Sequence, residues 1–87
     1  MKKIFAIKDE KAAAYYDPFT MGNTIDAQRT FMQAMKAEKS MISQYPDDFN
    51  LYLIGEYDEM TGLITPNAPV MILTGKEAKE KTKEQIC

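Results

Sequence analysis

Aromatic rings and lysines are interspersed along one short stretch near the start of the chain, comprising Lys8, Lys11, Tyr15, Tyr16 and Phe19. Exposed rings can stack on unpaired bases while lysines contact phosphates, so this combination is typical of a surface that binds single-stranded nucleic acid. The same rings could instead pack in the core, because a chain without tryptophan needs its other aromatic residues there. The sequence leaves both interpretations open.

A second basic pair, Arg29 and Lys36, lies on the polar side of a predicted helix. These two side chains could extend a phosphate-binding track. They could equally belong to an ordinary solvated helix face.

Residue types that carry catalysis or bind metals are scarce in this chain. It has no histidine, and its single cysteine is Cys87. The acidic pairs Asp47–Asp48 and Asp58–Glu59 lack the alternating oxygen ligands of a calcium loop. Both lie at strand ends, where acidic residues commonly take part in turns. We therefore expect no catalytic residues, no metal and no cofactor.

Composition and charge narrow the classes of protein further. With 87 residues, 45% of them hydrophobic, the chain can form one domain with one modest core. The net charge is −2, and the stretch from Asp47 to Ile64 holds five acidic residues and no basic one. A protein that grips duplex DNA by neutralising phosphates should be more basic than this. No apolar run approaches the ~20 residues that span a bilayer, so we expect no membrane association.

Alternating and β-branched apolar patterns predict the strands. They are Ile4–Ile7, an extended segment over 15–21, Phe49–Tyr57, Leu63–Thr65 and Val70–Leu73. The alternation places Phe49, Leu51, Leu53 and Tyr57 on one face of their strand and Tyr52 and Ile54 on the other. A turn over 58–62 should use a positive φ at Gly62, and Pro66 and Pro69 predict a kink before the last strand.

One main helix is predicted to begin at Asn23 or Thr24, either of which can cap it. Its apolar stripe would consist of Ile25, Gln28, Phe31, Met32 and Met35. Met41, Ile42 and Tyr45 could extend this helix or cover the core as a loop, and Pro46 marks the latest end.

The predicted fold class is therefore α+β: a small antiparallel sheet of four to five strands with one main helix packed on one face. Residues 1–75 form the single domain, and the charged segment 76–87 is expected to be a solvated tail or a frayed helix. One helix on a small sheet makes a thin core and leaves apolar surface uncovered. We therefore also expect a homodimer, which would bury that surface.

Two stretches resemble a known family. The first contains Ile4-Phe5-Ala6-Ile7-Lys8-Asp9, Lys11-Ala12 and Tyr16-Asp17-Pro18-Phe19; the second contains Tyr45-Pro46-Asp47-Asp48-Phe49, Leu51-Tyr52, Ile54-Gly55-Glu56-Tyr57-Asp58 and Thr61-Gly62. Together they span residues 4–64 and resemble the small non-structural protein of the gokushoviruses, single-stranded DNA phages of the Microviridae. The segment 76–87 has no counterpart in this resemblance.

The resemblance implies a DNA-binding protein that assists viral single-stranded DNA synthesis in the cytoplasm of the infected bacterium. No catalytic residues are assigned to that family. The alternative is a protein–protein adaptor that uses its acidic hairpin or a methionine-rich patch to bind the phage replication initiator, a host replication protein or the procapsid. The acidic pI of about 5.0 favours the adaptor, whereas the resemblance favours DNA binding.

Overall fold

The sheet is built around strand β1 (Lys2–Asp9) in the computed structural model, which describes residues 1–37 and 39–85, with side chains described as far as Thr82. On one side β1 pairs with β4 (Phe49–Asp58), which in turn pairs with β5 (Leu63–Thr74). On its other side β1 pairs with two short strands, β2 (Ala14–Tyr15) and β3 (Phe19–Met21). All pairings are antiparallel, so the predicted α+β class with a sheet of four to five strands is confirmed.

The segment 15–21, predicted as one extended stretch, forms two strands instead. β2 pairs with the end of β1, whereas β3 pairs with its beginning, and Asp17 and Pro18 lie between them. Proline has no backbone N–H to donate to a ladder, and it restricts the residue before it. The interruption therefore follows from Asp17-Pro18.

Strand β4 contains an irregularity at Ile54 that changes which residues share a face. Leu53 pairs with Phe5, yet Gly55 pairs with Ile4, so Ile54 is an extra residue opposite β1. A bulge of this kind shifts the alternation of side chains. Tyr57 therefore lies on the opposite face from Leu51, which corrects the predicted single face for Phe49, Leu51, Leu53 and Tyr57.

The last two predicted strands are one continuous strand, β5, with an irregular centre. Between the pairs Leu53–Val70 and Gly55–Pro66, a single residue of β4 faces three residues of β5. The Asn67 side chain donates to the Leu53 and Ala68 carbonyl oxygens and so replaces part of the interrupted ladder. The proline-flanked kink thus bends the strand without ending it. Gly62 has a φ of 77°, as the turn chemistry predicts.

Helix α1 (Thr24–Lys36) begins after Asn23, whose side chain accepts the Asp26 N–H. The largest fully buried side chains lie between α1 and the sheet: Phe5, Phe31, Met35, Phe49 and Leu51. Ile25, predicted to lie on the apolar stripe, is 62% exposed, and Ala27 occupies the buried face instead. The reason is that Ala27, Phe31 and Met35 follow each other at four-residue spacing, which defines the face in contact with the sheet.

The chain between α1 and β4 forms a separate short helix, α2 (Met41–Gln44), and a 3₁₀ turn over Pro46–Asp48. Ser40 caps α2 by accepting the Ile42 N–H. Ile42 is buried in the core, whereas Met41 and Tyr45 are exposed. This region therefore covers the core as a discrete element and does not extend α1.

The segment predicted as a solvated tail contains helix α3 (Gly75–Gln85), which packs beside α1. Ala78 is fully buried and Thr82 nearly so. The Lys79 ammonium group donates to the Met35 carbonyl oxygen at 3.0 Å and to Ser43 Oγ at 3.0 Å, which ties α3 to α1 and α2. A small residue and a hydrogen-bonded lysine thus dock a helix that lacks large apolar residues. Ile86 and Cys87 lie outside the described residues.

Candidate functional site

The sheet has one face toward the helices and one face away from them. Phe5, Ile7 and Leu51 point to the core, so their neighbours in the strands point to the other side. Within the described residues, both longer helices pack on the core side. We call the opposite surface of β1, β2 and β4, formed around Ala6, Lys8, Tyr15 and Tyr52, the open face.

Two tyrosines form the most prominent feature of the open face. Strand pairing sets Tyr15 beside Lys8 and Tyr52 beside Ala6. The Tyr15 and Tyr52 rings contact edge to face, with centroids 5.7 Å apart and an interplanar angle of 75°. Tyr15 is 41% exposed, so its ring remains accessible. Because both rings sit on paired strands, their positions are fixed by the sheet rather than by a loop.

Lys8 links this aromatic pair to a polar cluster. Its ammonium nitrogen lies 5.5 Å from the centroid of the Tyr15 ring, within cation–π range. The same nitrogen lies 3.3 Å from Glu10 Oε1. Lys8 is therefore held over the ring by its carboxylate neighbour, and part of its charge is already balanced.

Glu10 is the hub of the polar cluster. Its Oε2 accepts hydrogen bonds from Asn50 Nδ2 at 2.7 Å and from the Tyr52 hydroxyl at 2.8 Å. Asn50 also accepts the Gly75 N–H through Oδ1, which connects the cluster to the start of α3. Each side chain thus has a partner that holds it in place.

The cluster shifts the ionisation of two of its members. The hydrogen bonds from Asn50 and Tyr52, together with nearby Lys8, lower the pKa of Glu10 below its usual value of 4.5. Burial and the adjacent Glu10 carboxylate raise the pKa of Tyr52 to about 12. Around neutral pH the cluster therefore contains a carboxylate and a protonated phenol, the forms that its hydrogen bonds require.

The other two predicted rings point elsewhere. Tyr16 contacts the core residue Phe49 edge to face at 5.8 Å, and Phe19 stacks on the core residue Phe5 at 6.1 Å. Both therefore serve packing at the sheet margin. They still meet Tyr15 around a shallow cavity of about 520 Å³ at the edge formed by β2 and β3.

The remaining predicted basic residues are not brought to the open face. Arg29 and Lys36 line a groove of about 220 Å³ on α1, which lies in the helical layer. Lys11 follows β1, where its backbone N–H donates to Asp9 Oδ1, and its exposed side chain borders a cavity beside Tyr45 and Asp48. The structure thus groups Lys8 with Tyr15 and separates both from Arg29 and Lys36.

Sequence reasoning missed the residues Glu10, Asn50 and Tyr52 as members of this site. The alternation of β4 does place Tyr52 opposite Leu51, which is a signal that it leaves the core. No local pattern relates Glu10 to Asn50, because forty residues separate them and only the pairing of β1 with β4 brings them together.

The acidic pair Asp58–Glu59 serves the turn between β4 and β5. Asp58 Oδ1 accepts the Met60 N–H at 2.9 Å, and Glu59 lies 3.7 Å from the amino group of Met1. The turn projects Met60, which is 89% exposed. No described helix is both long and apolar enough to cross a membrane.

The structure is thus a two-layer α+β domain whose sheet has one packed face and one open face. The chain belongs to the Phage ORF5 protein family, whose model matches residues 2–78. It is accordingly a bacteriophage protein, and the family points to an accessory role. The match extends beyond the 4–64 resemblance and includes the first residues of α3. A comparison with curated proteins found no match, and neither did a comparison with solved structures.

Proposed function

We propose that this protein is a non-catalytic accessory protein that binds single-stranded DNA on its open face and assists viral genome synthesis in the cytoplasm of the infected bacterium. The phage would be a gokushovirus, as the resemblance of residues 4–64 suggests. The observation that carries the proposal is the Tyr15–Tyr52 ring pair with Lys8 held over it.

The geometry supports unpaired bases as the ligand. A ring that is fixed on a sheet and partly exposed offers a stacking surface without losing side-chain freedom on binding. Base–aromatic stacking contributes about 1–3 kcal/mol per base and tolerates any base. A base in a duplex is already stacked on both sides, so the open face should favour single strands.

The charges support stacking as the main source of affinity. Lys8 is partly balanced by Glu10, and the whole chain carries a net charge of −2. Phosphate contacts alone would therefore bind DNA weakly. The expected affinity is modest, falls as salt rises and depends strongly on the rings.

The test is a titration of fluorescently labelled oligonucleotides, single-stranded and duplex, at two salt concentrations. We expect tighter binding to the single strand, and Tyr15→Leu should weaken it by roughly 5- to 150-fold, the equivalent of one stacked base. Tyr45→Leu is the matched control, because Tyr45 is a 53% exposed tyrosine beside α2, outside the open face.

Equal or undetectable binding to both oligonucleotides at low salt would reject the proposal. The adaptor function would then be preferred, because the β4–β5 turn presents Met60 beside acidic residues in an exposed position. Loss of binding in both tyrosine variants would likewise argue against the open face as the site.

A further inference from the structure

The outer edge of β5 is long, exposed and free of charge. Among the described strands none pairs with this edge, and every residue from 63 to 71 is exposed. The twelve residues of β5 include no Asp, Glu, Lys or Arg. Large apolar side chains line it, namely Leu63, Ile64, Val70 and Met71. Charges, prolines and bulges discourage an edge strand from pairing with another chain. β5 has no charges, and both its prolines, Pro66 and Pro69, lie in its centre, so its two ends remain able to pair.

We propose that a second copy of this chain pairs with β5 in antiparallel orientation and extends the sheet across a two-fold axis. An identical edge is self-complementary in this orientation, since each copy presents the same donors and acceptors to the other. This proposal does not depend on DNA binding, because it uses the opposite edge of the sheet from Tyr15.

The irregular centre of β5 sets where the two copies meet. Pro66 and Pro69 flank the bulge and have no N–H to donate, so hydrogen bonds between the copies form on either side of it. Two proline-free arms remain, Leu63–Thr65 and Val70–Thr74, and the second arm contains one further extra residue, Ile72, in its pairing with β4. With the axis at the bulge, the first arm of each copy pairs with the second arm of its partner.

Charge at the two ends of β5 favours this arrangement. The end before Leu63 carries Asp58 and Glu59, whereas residues 75–82 after Thr74 hold three lysines and two glutamates, a net charge of +1. Antiparallel pairing brings the acidic end of one copy toward this weakly basic end of the other. Parallel pairing would bring like charges together at both ends.

The test is sedimentation velocity on the full chain over a range of concentrations. We expect the mass to rise from the 9.9 kDa of one chain toward twice that value. Ile64→Lys should raise the dissociation constant of the dimer by roughly tenfold or more, since it places a charge in the apolar contact. Ile25→Lys is the control, because Ile25 and Ile64 are 62% and 63% exposed and only Ile64 lies on β5.

A second variant tests the orientation. Met71→Glu should also weaken the dimer, and the double variant Ile64→Lys with Met71→Glu should recover most of the loss, because antiparallel pairing sets these positions opposite each other. Circular dichroism spectra identical to that of the original chain would establish that the variants fold. A wild-type chain that stays at 9.9 kDa at every concentration, or a dimer unaffected by Ile64→Lys, would overturn the proposal.

Discussion

At the scale of single residues, the Glu10 cluster joins three parts of the chain that local sequence does not relate. Glu10 follows β1, Asn50 is the second residue of β4, and the Asn50 amide oxygen accepts the N–H of the first residue of α3. Tyr52 completes the cluster from the open face. One carboxylate therefore fixes both the orientation of a candidate stacking ring and the junction between sheet and helix.

The lowered pKa of Glu10 predicts an acid-dependent stability. Because the pKa is below 4.5 in the folded chain, the contribution of Glu10 is complete above that pH and is lost as the pH falls through the folded value. Glu10→Gln should remove this part of the pH dependence and lower stability at neutral pH by about 1–2 kcal/mol. Urea midpoints measured against pH for both chains test this. Parallel pH profiles would contradict it.

The raised pKa of Tyr52 predicts an effect at alkaline pH. The group stabilises the fold below its usual value of 10.0, and this contribution is lost as the pH rises through about 12. In the Glu10→Gln variant Tyr52 would still be buried, but the negative charge beside its hydroxyl would be gone. The pKa of Tyr52 should therefore be lower in this variant than in the original chain. Ultraviolet titration of tyrosinate measures this, with Tyr52→Phe identifying the signal.

Gly55 is required by the close approach of β5. A Cβ atom at this position would lie 2.7 Å from the Thr65 carbonyl oxygen and 3.3 Å from the Pro66 Cα. Both neighbours are backbone atoms that cannot rotate away, so Gly55→Ala should lower stability by about 1–3 kcal/mol. Gly22→Ala is the matched control, since nothing lies within 4 Å of its added Cβ. Equal thermal midpoints for the two variants would refute the argument.

At the scale of elements, α3 docks through small and polar side chains, since it has no large apolar residue among Gly75–Gln85. Ala78 is fully buried against the core, so Ala78→Gln should force a larger side chain into a filled space and lower stability by about 1–3 kcal/mol. Lys81→Gln, at an exposed position of the same helix, should change it by less than about 0.5 kcal/mol. Chemical denaturation of both variants checks this. If Ala78→Gln proves neutral, α3 is not docked in solution and the predicted boundary at residue 75 stands.

Local sequence patterns predict the features of an element that depend on neighbouring residues, but not its contacts with distant parts of the chain. The Asn23 cap, the Phe31 and Met35 face and the Gly62 turn were predictable because each depends on residues close in sequence. The docking of α3 was not, because Lys79 finds its acceptors at Met35 and Ser43, some forty residues earlier. The predicted face of Tyr57 was wrong for a similar reason. Ile54 is an extra residue only in the pairing of β4 with β1, and the sequence of β4 alone does not reveal that pairing.

At the scale of the whole molecule, the two layers separate the basic residues that the sequence suggested as one site. Lys8 lies on the open face, whereas Arg29 and Lys36 lie on α1. We therefore expect Lys8→Ala to weaken binding of single-stranded DNA and to reduce its salt dependence by about one phosphate contact. The double variant Arg29→Ala with Lys36→Ala should leave affinity unchanged in the same titration. The reverse pattern would move the DNA site to the helical layer.

The central position of β1 determines when the sheet can close during synthesis. In the described part of the chain, β1 takes part in three of the four strand pairings, yet its partner β4 begins only at Phe49. About 40 residues must therefore leave the ribosome after β1 before that pairing is possible, which takes on the order of 2–8 s at ~5–20 residues per second. Throughout that interval Phe5, which is fully buried in the finished fold, lacks the part of its surroundings that β4 provides. The β4–β5 hairpin involves no comparable delay between its own strands, because only residues 59–62 separate them.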